Sequence, residues 1–103
     1  MVTSAPDTPP HYPGGTPVLM TYLSQNLRYP AEAQRKRIQG KVVVGLTIER
    51  DGTLTNIRIR EYSTNRLLDQ EALRVVSTMK RWVPGRKMAV LYGLAHIPIV
   101  FRL

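Results

Sequence analysis

An Asp-Gly pair between two segments of alternating apolar residues is the strongest constraint on what this chain can fold into. Asp51-Gly52 is typical of a two-residue type I′ turn, in which both central residues need a positive φ. The apolar positions are Val42, Val44, Leu46 and Ile48 before the pair, and Ile57 and Ile59 after it. The turn then sets a register that pairs Arg50 with Thr53, Leu46 with Ile57, and Val44 with Ile59. All the apolar side chains fall on one face, so pattern and turn predict the same core face.

Three helices are predicted around this hairpin. Thr16 and Pro17 are typical of a helix start, with Thr16 as the cap. The first apolar stripe is Val18, Leu19, Tyr22, Leu23 and Leu27, and Tyr29-Pro30 ends that helix. A short helix over Ala31 to Arg37 follows, which Gly40 is placed to end.

The third predicted helix covers Leu67 to Arg81. Its apolar stripe is Leu68, Ala72, Val75, Val76 and Met79, and Trp82-Val83-Pro84-Gly85 stops it. A final strand lies within Met88 to Arg102. Because Pro98 cannot donate to a sheet ladder, we expect this strand at an edge, on the free side of the first strand. The fold class is therefore α+β: a three-stranded antiparallel sheet with helices packed on one face and the last strand at an exposed edge.

The chain has 103 residues, enough for one domain. Residues 1–15 hold four of the eight prolines and are predicted to be a proline-rich linker remnant, and residues 16–103 to be the domain. Residues 1–15 also lack the basic and apolar regions of a signal peptide, and no segment has the roughly 20 apolar residues of a spanning helix.

No group of residues predicts catalysis, a metal site or a cofactor. Cysteine is absent. His11 lies in the linker, and His96 lies in an apolar strand as a half-buried or edge residue. Asp69 and Glu71 are two positions apart in a helix, so their carboxylates point to different sides. We therefore expect a protein that is not an enzyme and has no catalytic residue.

Basic residues gather in three places, and the formal net charge is +8. The groups are Arg35, Lys36, Arg37 and Lys41; Arg58 and Arg60, beside Thr47 and Asn56 on the solvated sheet face; and Lys80, Arg81, Arg86 and Lys87 around Trp82. Such surfaces can bind phosphate backbones or anionic membrane and cell-wall polymers. The aromatic residues that single-strand-binding sheets place among basic ones are missing beside Arg58 and Arg60. We expect no nucleic-acid partner, with a basic nucleic-acid-binding module kept as an alternative.

Several motifs occur in a characteristic order. They are Tyr29-Pro30 with Ala33, Ile38-Gln39-Gly40, Asp51-Gly52, Leu68-Asp69 with Ala72, then Trp82, Pro84 and Gly85, and the closing IPIVFRL. Together they resemble the carboxy-terminal domain of the TonB energy-transducer family. The opening YPGGTPVLMTYLSQNLRYP is similar to the lead-in of Bacteroidetes-type members. The resemblance covers about Tyr12 to Leu103. Arg86 to Ala95 departs from it by lacking a Lys/Gly-rich turn, and Lys80-Arg81 stands where Bacteroidetes-type members often have proline.

This resemblance implies a non-enzymatic energy-coupling domain in the periplasm. Family members are anchored in the inner membrane by an amino-terminal helix, and a proline-rich linker crosses the periplasm. Their carboxy-terminal domain binds the TonB box of outer-membrane transporters by strand addition. With ExbB and ExbD, they convert proton-motive force into mechanical work for nutrient and siderophore uptake. Residues 1–15 would then be the end of the linker, with the anchor outside this sequence.

Two stretches would form the peptide site. In the last strand, backbone groups would be offered by His96, Ile97, Ile99, Val100, Phe101 and Arg102. The resemblance adds the stretch that ends in Tyr-Pro, namely Gln25, Asn26, Leu27, Arg28, Tyr29 and Pro30. Packing at a helix start is the alternative role of Tyr29, and Trp82 is expected in the core. Pro98 removes one hydrogen bond either from the peptide or from the domain, depending on which edge its nitrogen faces.

Two further alternatives stay open at this stage. The fold could serve as a TonB-like sensor or cell-envelope adaptor whose ligand is another peptide or an anionic polymer. An exposed edge also invites strand exchange, so a homodimer is a possible assembly.

Overall fold

The computed structural model describes residues 12–79, 82, 86–87, 90–91 and 93–103. In chain order the elements are α1 (Thr16–Asn26), α2 (Ala31–Arg35), β1 (Gly40–Ile48), β2 (Leu54–Glu61), α3 (Arg66–Ser77), β3 (Arg86–Lys87), β4 (Val90–Leu91) and β5 (Gly93–Phe101). No helix in these ranges is long and apolar enough to cross a membrane.

The main sheet has the strand order β2-β1-β5, with both pairings antiparallel. The β1–β5 register runs without interruption from Gly40 opposite Phe101 to Ile48 opposite Gly93. The predicted fold class, the central place of the first strand and the edge position of the last are therefore confirmed. A second, two-stranded antiparallel sheet of β3 and β4 was not predicted.

The core lies between the main sheet and the helices. It contains Val42, Val44, Leu46 and Ile48 from β1, Ile97, Ile99 and Phe101 from β5, and Leu68, Ala72, Val75 and Val76 from α3. Met79 and Trp82 are each 7% exposed, which confirms the predicted core position of Trp82. The predicted apolar stripe of α3 therefore faces the core, and so does that of α1 except for Val18, which is 47% exposed.

The cap of α1 and the last residue of α2 differ from the prediction. The residue that caps α1 is Gly15, with φ 90° and no side-chain hydrogen bond, so Thr16 lies inside the helix and was wrongly expected as the cap. The second helix stops at Arg35 rather than Arg37. Arg37 itself takes a left-handed φ of 55°, which turns the chain, so Gly40 is free to begin β1 instead of ending a helix.

The third helix ends at Ser77, before the predicted Arg81, with Thr78 as its C-cap. It begins with a side-chain cap, Asn65, that was not predicted. The Oδ1 atom of Asn65 accepts hydrogen bonds from the backbone N–H of Leu67 (2.8 Å) and of Leu68 (3.2 Å). The basic residues Lys80 and Arg81, and the Pro84-Gly85 stop, lie outside the described residues.

The β1–β2 connection is a three-residue loop, not the predicted two-residue turn. Gly52 N–H donates to the Glu49 carbonyl (2.9 Å), and Glu49 N–H donates to the Thr53 carbonyl (2.8 Å). Gly52 has φ 87°, as a type I turn followed by a left-handed residue requires. The predicted pairing of Arg50 with Thr53 is therefore wrong.

A bulge in β2 then restores the predicted register. Ile48 lies opposite Leu54, but Val44 lies opposite Ile59, as predicted. The extra residue falls between Gly45 and Thr47 in the register, where Asn56 takes a left-handed φ of 50°. A second register shift follows between Val43 and Val44. Only β2 is irregular, because β1 keeps an unbroken register with β5.

Part of the predicted linker is described and is packed on the domain. The Tyr12 ring lies 5.8 Å from the Trp82 ring in an edge-to-face contact and 6.2 Å from the Tyr22 ring. Burial, and then the neighbouring Tyr22, raise the pKa of Tyr12 above its usual range. Residues 1–11 lie outside the described residues, so the boundary at residue 16 stays a prediction.

Candidate functional site

One edge of the main sheet has no partner strand among the described residues. β5 pairs with β1 on one side, and nothing in the described ranges pairs with the other side. Its side chains alternate strictly: Ile97, Ile99 and Phe101 are buried, while the residues between them are exposed. A regular strand with an open edge is a template for another extended chain.

The loop at Glu49 shows which residues of β1 face which neighbour. Both the N–H and the C=O of Glu49 are used on the β2 side, by Thr53 and Gly52. Alternate residues of a strand direct their backbone groups to opposite edges. Val42, Val44 and the other even-numbered residues of β1 therefore face β5.

The same alternation divides the residues of β5. Ile97, Ile99 and Phe101 lie opposite Val44, Val42 and Gly40, and so direct their backbone groups to β1. Leu94, His96, Pro98 and Val100 direct theirs to the free edge, and Arg102 continues this series beyond the strand. The nitrogen of Pro98 therefore faces outwards, so the domain loses no ladder hydrogen bond and the free edge lacks one donor.

An apolar groove of about 380 Å³ lies along this edge. Its β5 wall is formed by Pro98, Ile99 and Val100. The opposite wall is formed by α1 and the segment that follows it, with Met20, Leu23, Ser24, Leu27 and Tyr29. Met20 on the α1 wall is 45% exposed, a large fraction for an apolar side chain beside a groove. Val100, at 47% exposed, alternates with the buried Ile99 and so directs its side chain to the outer face of the sheet.

The α1 wall is one face of a helix. Met20, Leu23, Ser24 and Leu27 are spaced at i, i+3, i+4 and i+7. Leu23 belongs to both this face and the core, whereas Met20 lies just beyond the core stripe. Met20, Leu23 and Ser24 line the groove but were not predicted as site residues. The sequence did contain one signal for this face of the helix. Met20 is an apolar residue that lies next to the predicted core stripe of α1 but is not part of it.

Tyr29 joins the groove to the core. Its ring packs edge-to-face on Phe101, with centroids 5.6 Å apart. Its hydroxyl donates a hydrogen bond to the carbonyl of Ile38, across the short helix α2. Tyr29 is half-buried, so the packing role and the position beside the edge occur together.

The segment between α1 and α2 is held in place by α3. Glu71 Oε2 accepts a hydrogen bond from the backbone N–H of Arg28 (2.5 Å). Arg74 donates to both carboxylate oxygens of Glu71, at 2.7 and 2.8 Å, and to the carbonyl of Asn26 at 2.8 Å. These bonds hold the chain on either side of Leu27, which lines the groove.

Glu71 is charged at this position despite its burial. Its side chain is only 9% exposed. Burial raises the pKa of the Glu71 carboxyl, but the hydrogen bonds from Arg74 and from the Arg28 backbone together outweigh burial, so its pKa lies below the usual value. The same contact raises the pKa of Arg74. The pair is therefore fully ionised at neutral pH.

The residues predicted from the Tyr-Pro stretch do not all lie in the groove. Leu27 and Tyr29 line the groove together with Val100. Arg28 and Pro30 line a separate, shallower depression with residues of α3. Gln25 and Asn26 are exposed at the end of α1 and outside the groove lining.

The outer face of the sheet is basic. Arg60 lies across Gly45, where an added Cβ would stand 2.5 Å from Arg60 Cγ and 3.3 Å from His96 Cδ2. Glycine at this position therefore leaves room for the aliphatic part of Arg60. His96 is exposed at the edge, as predicted. In the described part of the chain no group of three or more His, Asp or Glu residues could hold a metal ion.

Comparison with known proteins identifies one set of relatives. A family described as Gram-negative bacterial TonB protein C-terminal matches residues 25–103. The TonB protein of Helicobacter pylori is 32% identical over 85 residues, which are 82% of this chain and 29% of that protein. The TonB protein of Xanthomonas campestris pv. campestris is 30% identical over 82 residues, 74% of this chain and 34% of that protein. The chain thus spans about a third of the length of these curated relatives.

Solved structures agree with the sequence relatives. The solution structure of the Helicobacter pylori TonB carboxy-terminal domain is similar to this fold, with a TM-score of 0.61 and 27% identity, covering 82% of this chain and 77% of that one. A shorter form of the same domain gives a TM-score of 0.60 and 28% identity, covering 82% of this chain and 88% of that one.

Proposed function

Because this chain belongs to the family of TonB carboxy-terminal domains, we propose that it is the periplasmic coupling domain of an energy transducer and binds the TonB box of outer-membrane transporters. In this proposal the TonB box adds as a further strand to the free edge of β5. The domain performs no catalysis and needs no cofactor.

The open edge of β5 is the observation that carries this proposal. Leu94, His96 and Val100 direct N–H and C=O groups to it that no strand of the described residues pairs with, and Pro98 adds a carbonyl. Strand addition satisfies these groups through main-chain hydrogen bonds, which give affinity with little dependence on the peptide sequence. Each contributes roughly 1 kcal/mol net, so the complex is of modest affinity.

Energy coupling requires that a pull on the domain reaches the transporter. A peptide paired along β5 has its hydrogen bonds perpendicular to the strand, so a pull along the strand stretches all of them at once. We propose that the force comes from ExbB and ExbD, acting through an inner-membrane anchor and a linker of which residues 1–15 are the end. The work would release nutrients or siderophores from the transporter.

An amide-resolved NMR titration with a TonB-box peptide from a transporter of the same organism tests this proposal. We expect shifts confined to residues 94–102 of β5 and to Leu27–Tyr29. Shifts centred on Arg58 and Arg60, or no shifts at about millimolar peptide, would contradict it. The second result would favour the sensor or adaptor alternative instead.

A matched pair of variants separates the backbone from the side chain at the edge. His96→Pro removes a donor that faces the peptide, whereas His96→Ala keeps that donor and removes the same imidazole. We expect the Pro variant to bind roughly 2- to 12-fold more weakly than the Ala variant, the equivalent of one hydrogen bond. Equal affinities would show that the free edge of β5 is not the binding surface.

A further inference from the structure

The groove lies beside β5 on the helix side of the sheet. Every second side chain of a strand paired with the free edge of β5 would point to that side. Residues of a strand that is paired with β5 alternate between the outer face and the helix side of the sheet. On the helix side, the position next to Ile99 opens into the space between β5 and α1. An added strand therefore directs a side chain into the groove whichever way the strand runs.

The walls of this space determine which side chain fits. Apart from the Ser24 hydroxyl, the side chains that line it are apolar or aromatic, and none carries a charge. Met20 is close to half exposed on the α1 wall, and Leu27 and Tyr29 beside it are only partly buried. An aliphatic side chain placed between α1 and Ile99 would remove apolar surface of that wall from water.

We propose that the groove is a specificity pocket that takes one aliphatic side chain, leucine, isoleucine or valine, of the strand that adds to β5. This inference rests on the proposed function and names the chemistry of the ligand. The occupied position is the one that lies beside Ile99 on the helix side. The positions immediately before and after it point to the outer face, where polar side chains are tolerated.

The pocket adds sequence preference to a contact that is otherwise made by the backbone. Each buried methylene raises a binding constant about fourfold, from roughly 0.8 kcal/mol. Leucine is larger than alanine by three such carbon atoms, and the groove is open on one side. We therefore expect a leucine-to-alanine change at this one position to weaken binding about tenfold.

A walking-leucine series tests the pocket on the full chain. The probes are peptides of alternating threonine and serine as long as the nine residues of β5, each with one leucine placed at a different position. Affinities and shifts are read from the amides of β5 and the methyl groups of Met20 and Leu27. We expect the peptide with leucine at one particular position to bind about tenfold more tightly than the peptides with leucine at the two neighbouring positions. Binding of that peptide should also shift the Met20 methyl resonance of the domain.

Two variants on the same helix show whether the groove causes the preference. Met20→Ser changes the groove wall, whereas Val18→Ser changes a residue of the same helix that is equally exposed, at 47%, and lies outside the groove. We expect the leucine preference to vanish in Met20→Ser and to persist in Val18→Ser.

The outcomes separate the pocket from strand addition. If every peptide shifts the β5 edge with equal affinity, the pocket is refuted and strand addition remains. If no peptide shifts β5, both proposals fail. If the Met20 methyl shifts with protein concentration in the absence of peptide, a second copy of the chain fills the groove, and the pocket for a peptide side chain is refuted.

Discussion

Replacing Pro98 by alanine should strengthen peptide binding and weaken the fold. The nitrogen of Pro98 faces the free edge, because Pro98 lies opposite Val43, and Val43 uses its backbone groups on the β2 side. Alanine supplies the missing donor to the peptide without adding a hydrogen bond inside the sheet. Few substitutions are expected to change affinity and stability in opposite directions.

The change in affinity follows from the free energy of one hydrogen bond. The change in stability follows from the conformational entropy that one residue gains in the unfolded chain. A net hydrogen bond of roughly 0.5–1.5 kcal/mol corresponds to a 2- to 12-fold lower Kd. Removing a proline makes the unfolded chain more flexible and lowers stability by roughly 0.4–1 kcal/mol. For a domain of this size that is a fall in Tm of about 2–8 °C.

Calorimetric titration with a TonB-box peptide and thermal unfolding of the free domain measure the two effects separately. If the nitrogen of Pro98 faced β1 instead, alanine would complete the β1–β5 ladder, leave Kd unchanged and offset the loss of stability. An unchanged Kd with an equal or higher Tm would therefore refute the assignment of backbone directions on β5. His96→Pro makes the converse change two residues away and should raise Kd by a similar factor.

Three further predictions concern the parts of the fold that support the groove. Asn65→Ala removes the cap of α3 and should lower the unfolding free energy by about 1 kcal/mol in urea titrations, while Asn65→Asp, which can still accept both hydrogen bonds, should restore most of it. Because the folded-state pKa of Glu71 is lowered, its stabilising contribution is present above its unfolded pKa of about 4.3 and lost as pH falls through the folded pKa. The stability difference between the native chain and Glu71→Gln should thus be constant from neutral pH to about pH 5 and shrink below that, whereas a difference that grows on acidification would contradict the ion pair with Arg74. Tyr29→Phe deletes the hydroxyl that donates to Ile38 and should cost about 1 kcal/mol in the same assay with the ring contact retained; no loss would mean that water replaces that bond.

The elements of the sheet could be predicted because their signals are local and redundant. Four alternating apolar residues mark β1, and Pro98 restricts β5 to an edge. The loop length could not be predicted from Asp51-Gly52 alone, because two-residue and three-residue hairpins both place glycine at a positive φ. A signal for the bulge was nevertheless present. Leu54, Ile57 and Ile59 all pack on the core, and the three-residue step from Leu54 to Ile57 fits one face only if an extra residue lies between them.

The candidate site was predictable in outline only. The resemblance placed the Tyr-Pro stretch beside the last strand, and Leu27 and Tyr29 do lie there. Which of the residues next to them face the groove depends on the direction in which the chain leaves α1. That direction is set by contacts distant in sequence, such as Glu71 with the backbone of Arg28. Such contacts have no periodic signature, so Met20 and Ser24 were missed.

The irregularity of β2 has a consequence for how copies of this domain can assemble. Its two register shifts and the left-handed Asn56 disturb the outer edge of β2, whereas the outer edge of β5 is straight. A sheet with two regular edges can be extended without limit by further copies, which leads to fibres. A sheet with one regular edge can join one other copy edge to edge, and the symmetric pair then offers no further site for growth. Because the bulges of β2 disturb one edge of the sheet, edge-to-edge association through β5 would close at two chains.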